Sequence, residues 1–180
     1  MDDEIQSLLP GAPAPDFSLI DILSGRRCTL SAARGTIVLL NFWSIECPWS
    51  QQYDAYFVER AAQWAAQGIT FWMIASNRTE EPAAVRRRAR ELGLPCPVLA
   101  DFDCAAADAF GAQTTPHVFI ISPQGTLAYS GAVDDRSFRR REASINYVDA
   151  ALEALRTGGA PPHAESPPYG CAIVRFIPEE

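Results

Sequence analysis

The 180-residue sequence predicts an α/β domain with a mixed central sheet flanked by helices, and three observations carry that reading. Two apolar runs rich in strand formers, 36–43 and 69–75, are each followed by a segment with helical periodicity. Strand, helix, strand, helix in that order implies a parallel, right-handed crossover unit. Beyond residue 117 the pattern changes to two short strands around a turn and then one helix, which adds an antiparallel part.

Thr36-Ile-Val-Leu-Leu-Asn-Phe-Trp43 shows no polar alternation and is too short for an isolated helix, so it reads as a central strand buried on both faces. From Pro48, a residue suited to a first helical position, Tyr53, Phe57, Ala61, Trp64 and Ala65 form one apolar stripe that ends at Gly68. Ile69 to Ala75 is a second buried strand. Glu80 to Leu92 is a polar helix, opened by acids and Pro82 and closed by Gly93. A short strand at 97–100 and an Ala-rich helix from Cys104 to Phe110 follow. Val118 to Ile121 and Leu127 to Val133 flank Pro123-Gln-Gly-Thr126, a hairpin turn. Ile145, Val148, Leu152 and Leu155 give the face of a last helix, N-capped by Ser144 and stopped by Gly158-Gly159.

Prolines concentrate at the two ends, which sets an extended leader at 1–15, a folded domain at 16–157 and a Pro-rich tail at 158–180. One hydrophobic core of ordinary size accounts for this length. No apolar run approaches the ~18 residues of a membrane-spanning helix, and the acidic N-terminus lacks the basic and apolar regions of a secretory signal. A cytoplasmic protein with no membrane partner is expected. Fifteen arginines, with no lysine, stand against 22 acids, so the net charge is -7 and nucleic acid is not an expected partner. Five widely spaced cysteines and two histidines offer neither a disulfide framework nor a zinc site, and no cofactor is called for.

The stretch that carries chemistry is Asn41-Phe-Trp-Ser-Ile-Glu-Cys47-Pro-Trp-Ser50. It sets Cys47 where a buried strand gives way to a helix N-terminus, whose free N–H groups stabilise a thiolate, the nucleophilic form of cysteine. Glu46 opposes that effect when ionised and close.

Asn-Phe-Trp-x-x-x-Cys-Pro resembles the active-site strand and helix of the thioredoxin superfamily. Gly11-Ala-Pro-Ala-Pro-Asp-Phe17, then Leu30-Ser31, Arg34-Gly35 and the strand, is similar to its redoxin branch. That branch holds the alkyl hydroperoxide reductase and thiol-specific antioxidant proteins together with thiol-disulfide reductases of the cytochrome-maturation type. Thr114-Thr115-Pro116, ahead of an apolar strand, resembles the cis-proline loop that faces the active cysteine and binds extended substrate chains. The resemblance spans about residues 10 to 155. It implies a thioredoxin-like fold, a cis bond at Thr115-Pro116, and a redox role in which Cys47 is catalytic and the loop at Thr115 and Pro116 meets substrate. By position, Trp49 at the mouth of the site either shields Cys47 or meets substrate, and His117, next after the cis-proline, is a further residue to contact the site.

The usual Cys-x-x-Cys is here Cys47-Pro48-Trp49-Ser50. Ser50 can donate a hydrogen bond to the thiolate but holds no second sulfur with which to release a bound partner. An external thiol reductant or another cysteine must do so. Tyr169-Gly-Cys171-Ala-Ile-Val174 is a strand-like segment of the tail, and Cys171 is the expected resolving residue, with packing as an edge strand the alternative.

Three functions remain open on the sequence. The first is thiol-disulfide exchange with a disulfide-bearing protein or a low-molecular-weight thiol. The second is peroxide reduction: peroxiredoxins resemble Pro-x-x-x-Thr/Ser-x-x-Cys, to which Ser44 conforms and Leu40 does not. The third is a non-catalytic binding module. Cys28 reads as packing, and Cys96 and Cys104 as either packing or redox residues. His117 reads as an acid or base for Cys47, or as a strand-end histidine bonded to backbone. The arginines at 86–90 read as a solvated helix face. Those at 139–141 suit an anionic substrate such as glutathione, and Asp134-Asp135 suits a cation only weakly.

Overall fold

The structure is a computed structural model that describes residues 7–176, so residues 1–6 of the predicted leader and 177–180 of the tail lie outside the described residues. Among these the chain runs β1 (Ser18–Asp21), β2 (Arg27–Thr29), β3 (Val38–Trp43), α1 (Pro48–Gln51), α2 (Asp54–Ala66), β4 (Thr70–Ala75), α3 (Pro82–Leu92) and β5 (Val98–Ala100). It continues through α4 (Ala105–Phe110), β6 (Thr114–Thr115), β7 (His117–Ile121), β8 (Leu127–Gly131), α5 (Tyr147–Arg156) and β9 (Cys171–Ala172).

Seven strands form one mixed sheet in the order β2-β1-β5-β4-β3-β7-β8. β3 lies parallel to β4 from Val38 opposite Thr70 to Trp43 opposite Ala75, with α1 and α2 in the crossover between them. β7 is antiparallel to both β3 and β8. All six residues of β3 are buried, and their alternation feeds two separate cores. Leu39 and Trp43 join Phe57 and Trp64 of α2, Val85 of α3 and Leu152 of α5 on one face. Leu40 and Phe42 join Phe110 of α4 on the other. An apolar strand without polar alternation is what burial on both faces demands.

Among the described residues the second face carries the short α4 and a 3-10 turn at Leu30–Ala33, and segments before β1 and after α5 complete it. Leu8 and Ala14 of the leader, Phe17 just after it and Ile173 of the tail pack against that core. The leader is held by backbone pairing, with the Gly11 N–H on the Leu127 carbonyl at 2.8 Å and the Ala14 N–H on the Gly125 carbonyl at 2.9 Å. In the tail the Ser166 N–H bonds the Ser130 carbonyl at 3.0 Å. Gly131, at φ 144, permits that approach, because a Cβ there would run into Ser166.

Three local features differ from the sequence reading. The helix expected from Pro48 to Gly68 is interrupted at Gln52-Tyr53, where Tyr53 donates its N–H to Ser50, three residues back, at 3.1 Å. Two tertiary anchors fix the break: the Tyr53 hydroxyl donates to Asp134 at 2.6 Å, and the Trp43 indole N–H donates to Asp54 at 2.8 Å. The last helix is capped by Asn146, not Ser144, its side chain accepting the Asp149 N–H at 2.8 Å. Ser144 instead donates both its N–H, at 2.8 Å, and its hydroxyl, at 2.7 Å, to Asp135. Residues 145 and 146 stay extended because Asp135 donates its N–H to the Ile145 carbonyl and Asn146 pairs with Asp134. Finally, Glu80 precedes α3 and is buried rather than opening that helix at the surface.

Candidate active site

β3 ends at Trp43 and the chain turns through Ser44, Ile45 and Glu46 before Pro48 starts α1. Glu80, from the turn after β4, lies under this loop: it accepts the Ser44 hydroxyl, and its Oε1 accepts the Glu46 N–H at 3.2 Å. Burial pushes the Glu80 carboxyl above its ordinary value, and the Ser44 hydrogen bond offsets part of that. The Glu46 side chain points to solvent. Ser50 closes the loop from the other side, its Oγ accepting the Ser44 N–H at 3.3 Å.

Cys47 is the N-cap of α1, with extended backbone at φ -87 and ψ 116, and is 3% exposed. Its sulfur accepts the Ser50 N–H at 3.4 Å. The expected contact from Ser50 is therefore made by the backbone and not by the hydroxyl, which is already turned to Ser44. The Cys47 thiol also lies 3.0 Å from the Thr115 carbonyl, and the Thr115-Pro116 bond is cis.

The tail brings in the second sulfur. β9 pairs antiparallel with β6, with Thr115 opposite Cys171 and Thr114 opposite Ala172. The two sulfurs, 124 positions apart in the chain, stand 2.6 Å from one another. Gly170 permits the pairing, since a Cβ there would run into the Thr115 carbonyl. Beyond Cys171 the tail is tied down by the Val174 N–H on Asn77 at 2.8 Å and by Arg175, whose Nε donates to Asp108 at 2.7 Å. Before it, Tyr169 meets Trp49 edge-on at 4.8 Å, and Phe138 meets Trp49 at 5.2 Å. Trp49 thus holds the tail at the mouth of the site.

Burial raises the Cys47 thiol, but Cys171, the Thr115 side chain and the Ser50 N–H together outweigh it and bring the thiol below its ordinary value. Cys171 moves the other way, pushed up to about 11 by burial and then by its contact with Cys47, with the Trp49 N–H opposing.

The other predicted site residues lie apart from this pair. The buried His117 ring accepts the Gln113 N–H at Nδ1, 3.1 Å away, and stacks on Phe119 at 4.4 Å. Burial lowers its pKa to about 3, so it is neutral and bonded to backbone rather than exchanging protons with Cys47. Burial pushes Cys96 up to about 12 and, with Asp101 adding to it, Cys104 up to about 11. Cys28, in β2, is raised by burial and then by Asp21. The Asp134-Asp135 pair is used internally: Asp134 accepts from Tyr53 and Arg136, while Asp135 accepts from Ser144 and pairs with Arg140. Glu80, Gly170, Tyr169 and Phe138 were not singled out by the sequence. Gly170 alone carried a signal, as the glycine before the cysteine in the tail.

A family model described as the AhpC/TSA family matches residues 10–130. The thiol-disulfide oxidoreductase ResA of Bacillus subtilis (strain 168) is 32% identical over 122 residues, covering 68% of this chain and 66% of that relative. The chain thus matches just under two thirds of this curated relative's length. A solved structure of a conserved protein from Geobacillus kaustophilus superposes with a TM-score of 0.85 at 27% identity, over 97% of this chain and 96% of that one. That likeness includes the tail. A thiol:disulfide interchange protein of the thioredoxin family from Chlorobium tepidum TLS gives a TM-score of 0.61 at 26% identity, covering 72% of this chain and 90% of that one.

Proposed function

Since the chain belongs to the AhpC/TSA family and has a thioredoxin-like fold, we propose that it is a thiol-disulfide oxidoreductase with Cys47 as nucleophile and Cys171 as resolving cysteine. The Cys47 thiolate attacks one sulfur of a substrate disulfide and forms a mixed disulfide with it, while the substrate S–S bond breaks and the other sulfur leaves as a thiolate and takes a proton. The Cys171 thiol then loses its proton and attacks the Cys47 sulfur, which releases the second substrate thiol and leaves a Cys47–Cys171 disulfide. An external thiol reductant restores the two thiols. In this reading Ser50 positions the loop and supplies a backbone N–H, and the second sulfur of the usual motif is replaced by one on the tail.

The observation that supports this reading is the approach of the two sulfurs to 2.6 Å, made by β9 against the cis-proline strand. A peroxidase has less in its favour, because the Ser44 hydroxyl is turned to Glu80 and not toward Cys47. The test is peptide mapping after one turnover with a model disulfide. A Cys47–Cys171 linkage is expected, and Cys171→Ser should retain the first attack and accumulate a mixed disulfide on Cys47. A linkage through Cys96 or Cys104, or normal turnover by the variant, would remove Cys171 from the mechanism.

A further inference from the structure

The loop between β8 and α5 carries a feature the disulfide chemistry alone does not use. On a chain of net charge -7, Arg136, Arg139, Arg140 and Arg141 crowd into this one loop. The structure folds the loop over the mouth of the active site. A groove of about 290 Å³ is lined there by Trp49 and Gln52 from the active-site helix and by Arg136, Phe138, Arg140 and Arg141 from the loop. That is near the lower end of small-molecule sites, roughly 300–1,000 Å³. The loop is held in place: Arg136 by Asp134 at 2.8 Å, Arg140 by Asp135 at 3.5 Å, and the Phe138 N–H by the Tyr169 hydroxyl at 2.9 Å. Arg141 has no ion pair among the described residues. Phe138 is 79% exposed although it touches Trp49 and Tyr169.

The tail meanwhile takes the edge that an extended substrate chain would use. Thr114 and Thr115 are paired with Ala172 and Cys171, and the Ile173 N–H is on the Gln113 carbonyl at 3.0 Å. With the cis-proline edge filled by the protein's own chain, the cationic, aromatic groove beside Trp49 offers a recognition surface next to the tail segment that carries Cys171.

We propose that this groove binds a small carboxylate-bearing thiol of the glutathione class, which reduces the Cys47–Cys171 disulfide by attacking the Cys171 sulfur. The proposal rests on the reading that these two cysteines form the working disulfide. The carboxylates face Arg140 and Arg141, and the thiol faces the Trp49 side of Cys171. Cys171 is half-buried, whereas Cys47 is 3% exposed, so Cys171 is the sulfur that a dissolved thiol reaches. The incoming thiol gives its proton to solvent, its sulfur bonds to Cys171, the Cys47–Cys171 bond breaks, and the electron pair leaves on Cys47 as thiolate. A second molecule of the thiol attacks the incoming sulfur of the mixed disulfide. It forms the oxidised small-molecule disulfide and releases Cys171, which takes up a proton. Two thiols are oxidised and one protein disulfide is reduced. The polarity agrees with Cys47 being the better leaving group, because its thiol lies below its ordinary value and that of Cys171 above.

The test follows reduction of the preformed Cys47–Cys171 disulfide by glutathione and by glutathione diethyl ester, which has the same thiol with both carboxylates masked. Rates are compared per mole of thiolate. Glutathione is expected to react about tenfold faster at low salt, with the advantage falling as sodium chloride is added. Arg141→Ala removes an exposed side chain that has no ion-pair partner among the described residues and should slow glutathione about fivefold without slowing the ester. Quenching early with an alkylating agent should trap glutathione on Cys171. Equal rates for the two thiols, the same loss for both in Arg141→Ala, or trapping on Cys47 would overturn the proposal. Failure of the disulfide to form at all, with dithiothreitol as control reductant, would instead overturn the cysteine pair on which it rests.

Discussion

Two buried cysteines in this protein stand directly before a short helix, and their chemistry runs in opposite directions. Cys47 caps α1 with extended backbone and accepts the Ser50 N–H at its sulfur. Cys104 caps α4 at φ 61, in the left-handed region, and there Asp101 takes the Ala106 and Ala107 N–H groups at 2.8 and 3.0 Å. The Cys104 thiol turns away and donates to the Ser76 carbonyl at 2.8 Å. Burial raises both thiols. At Cys104 the Asp101 carboxylate adds to burial, whereas at Cys47 the contacts from Cys171, Thr115 and Ser50 outweigh it. A helix N-terminus therefore activates a cysteine only where its N–H groups are left for the sulfur. A carboxylate in that place reverses the effect.

The largest expected effect breaks the comparison by deletion. With reduction of a model disulfide as the assay, Cys47→Ser should fall to background, a loss of about a thousandfold or more, as for other nucleophile removals. Cys104→Ala should keep the wild-type rate and lower stability by about 1 kcal/mol, the burial lost with one sulfur. Loss of turnover in a folded Cys104→Ala protein would mean that burial and hydrogen bonding had been misjudged as inertness.

A smaller effect sharpens the role of the tail, which is what separates Cys47 from Cys104 most visibly. Gly170→Ala puts a Cβ against the Thr115 carbonyl and the Pro116 nitrogen, so β9 can no longer seat while both sulfurs are kept. Formation of the Cys47–Cys171 disulfide should slow about tenfold or more, since an effect of proximity is being removed. Two opposing causes accompany this: Cys171 is the largest of the contacts that lower the Cys47 thiol, whereas burial, the largest cause of all, raises it. A midpoint of Cys47 alkylation that moves to higher pH in Gly170→Ala means that the lost Cys171 contact outweighs the burial relieved with the tail. A midpoint that stays put or falls would mean that the relieved burial matches or outweighs that contact.

The asymmetry between these cysteines was only partly legible in the sequence. The position of Cys47 is a local fact: an apolar strand, a Cys-Pro step and a helical stripe follow one another, and the cis-proline strand carries its own Thr-Pro pattern. Both appear where they were expected. What the chain does at a distance was not legible. The break at Gln52-Tyr53 depends on Asp134 and on Trp43 reaching Asp54, and the capping of α5 by Asn146 depends on Asp135 drawing Ser144 away. Local propensity favours serine and asparagine almost equally as caps. Cys171 was visible as a strand-like segment, but its partner strand lies some 56 residues earlier, opposite Thr115. Glu80 looked like a helix-opening acid because nothing local shows that the Ser44 loop will fold over it.

The smallest effect tests the carboxylate side of the comparison. In Asp101→Asn one side-chain oxygen remains to accept an N–H, but the amide nitrogen cannot serve as acceptor for both the Ser76 hydroxyl and the Ala107 N–H that Oδ2 now holds at 2.7 and 3.0 Å. A stability loss of about 1–3 kcal/mol is expected for donors left unpaired in a buried site. The negative charge beside Cys104 also disappears, so its thiol should titrate below its present value of about 11. It should nonetheless stay above the Cys47 thiol, because burial is the larger cause of the Cys104 shift and the substitution leaves that burial in place. Thiolate absorbance against pH, measured in a variant whose other cysteines are replaced, reads this directly. A Cys104 thiol that became as acidic as Cys47 would show that the carboxylate alone had separated two otherwise equivalent positions. A thiol that did not move would show that Asp101 acts only through the N–H groups it occupies.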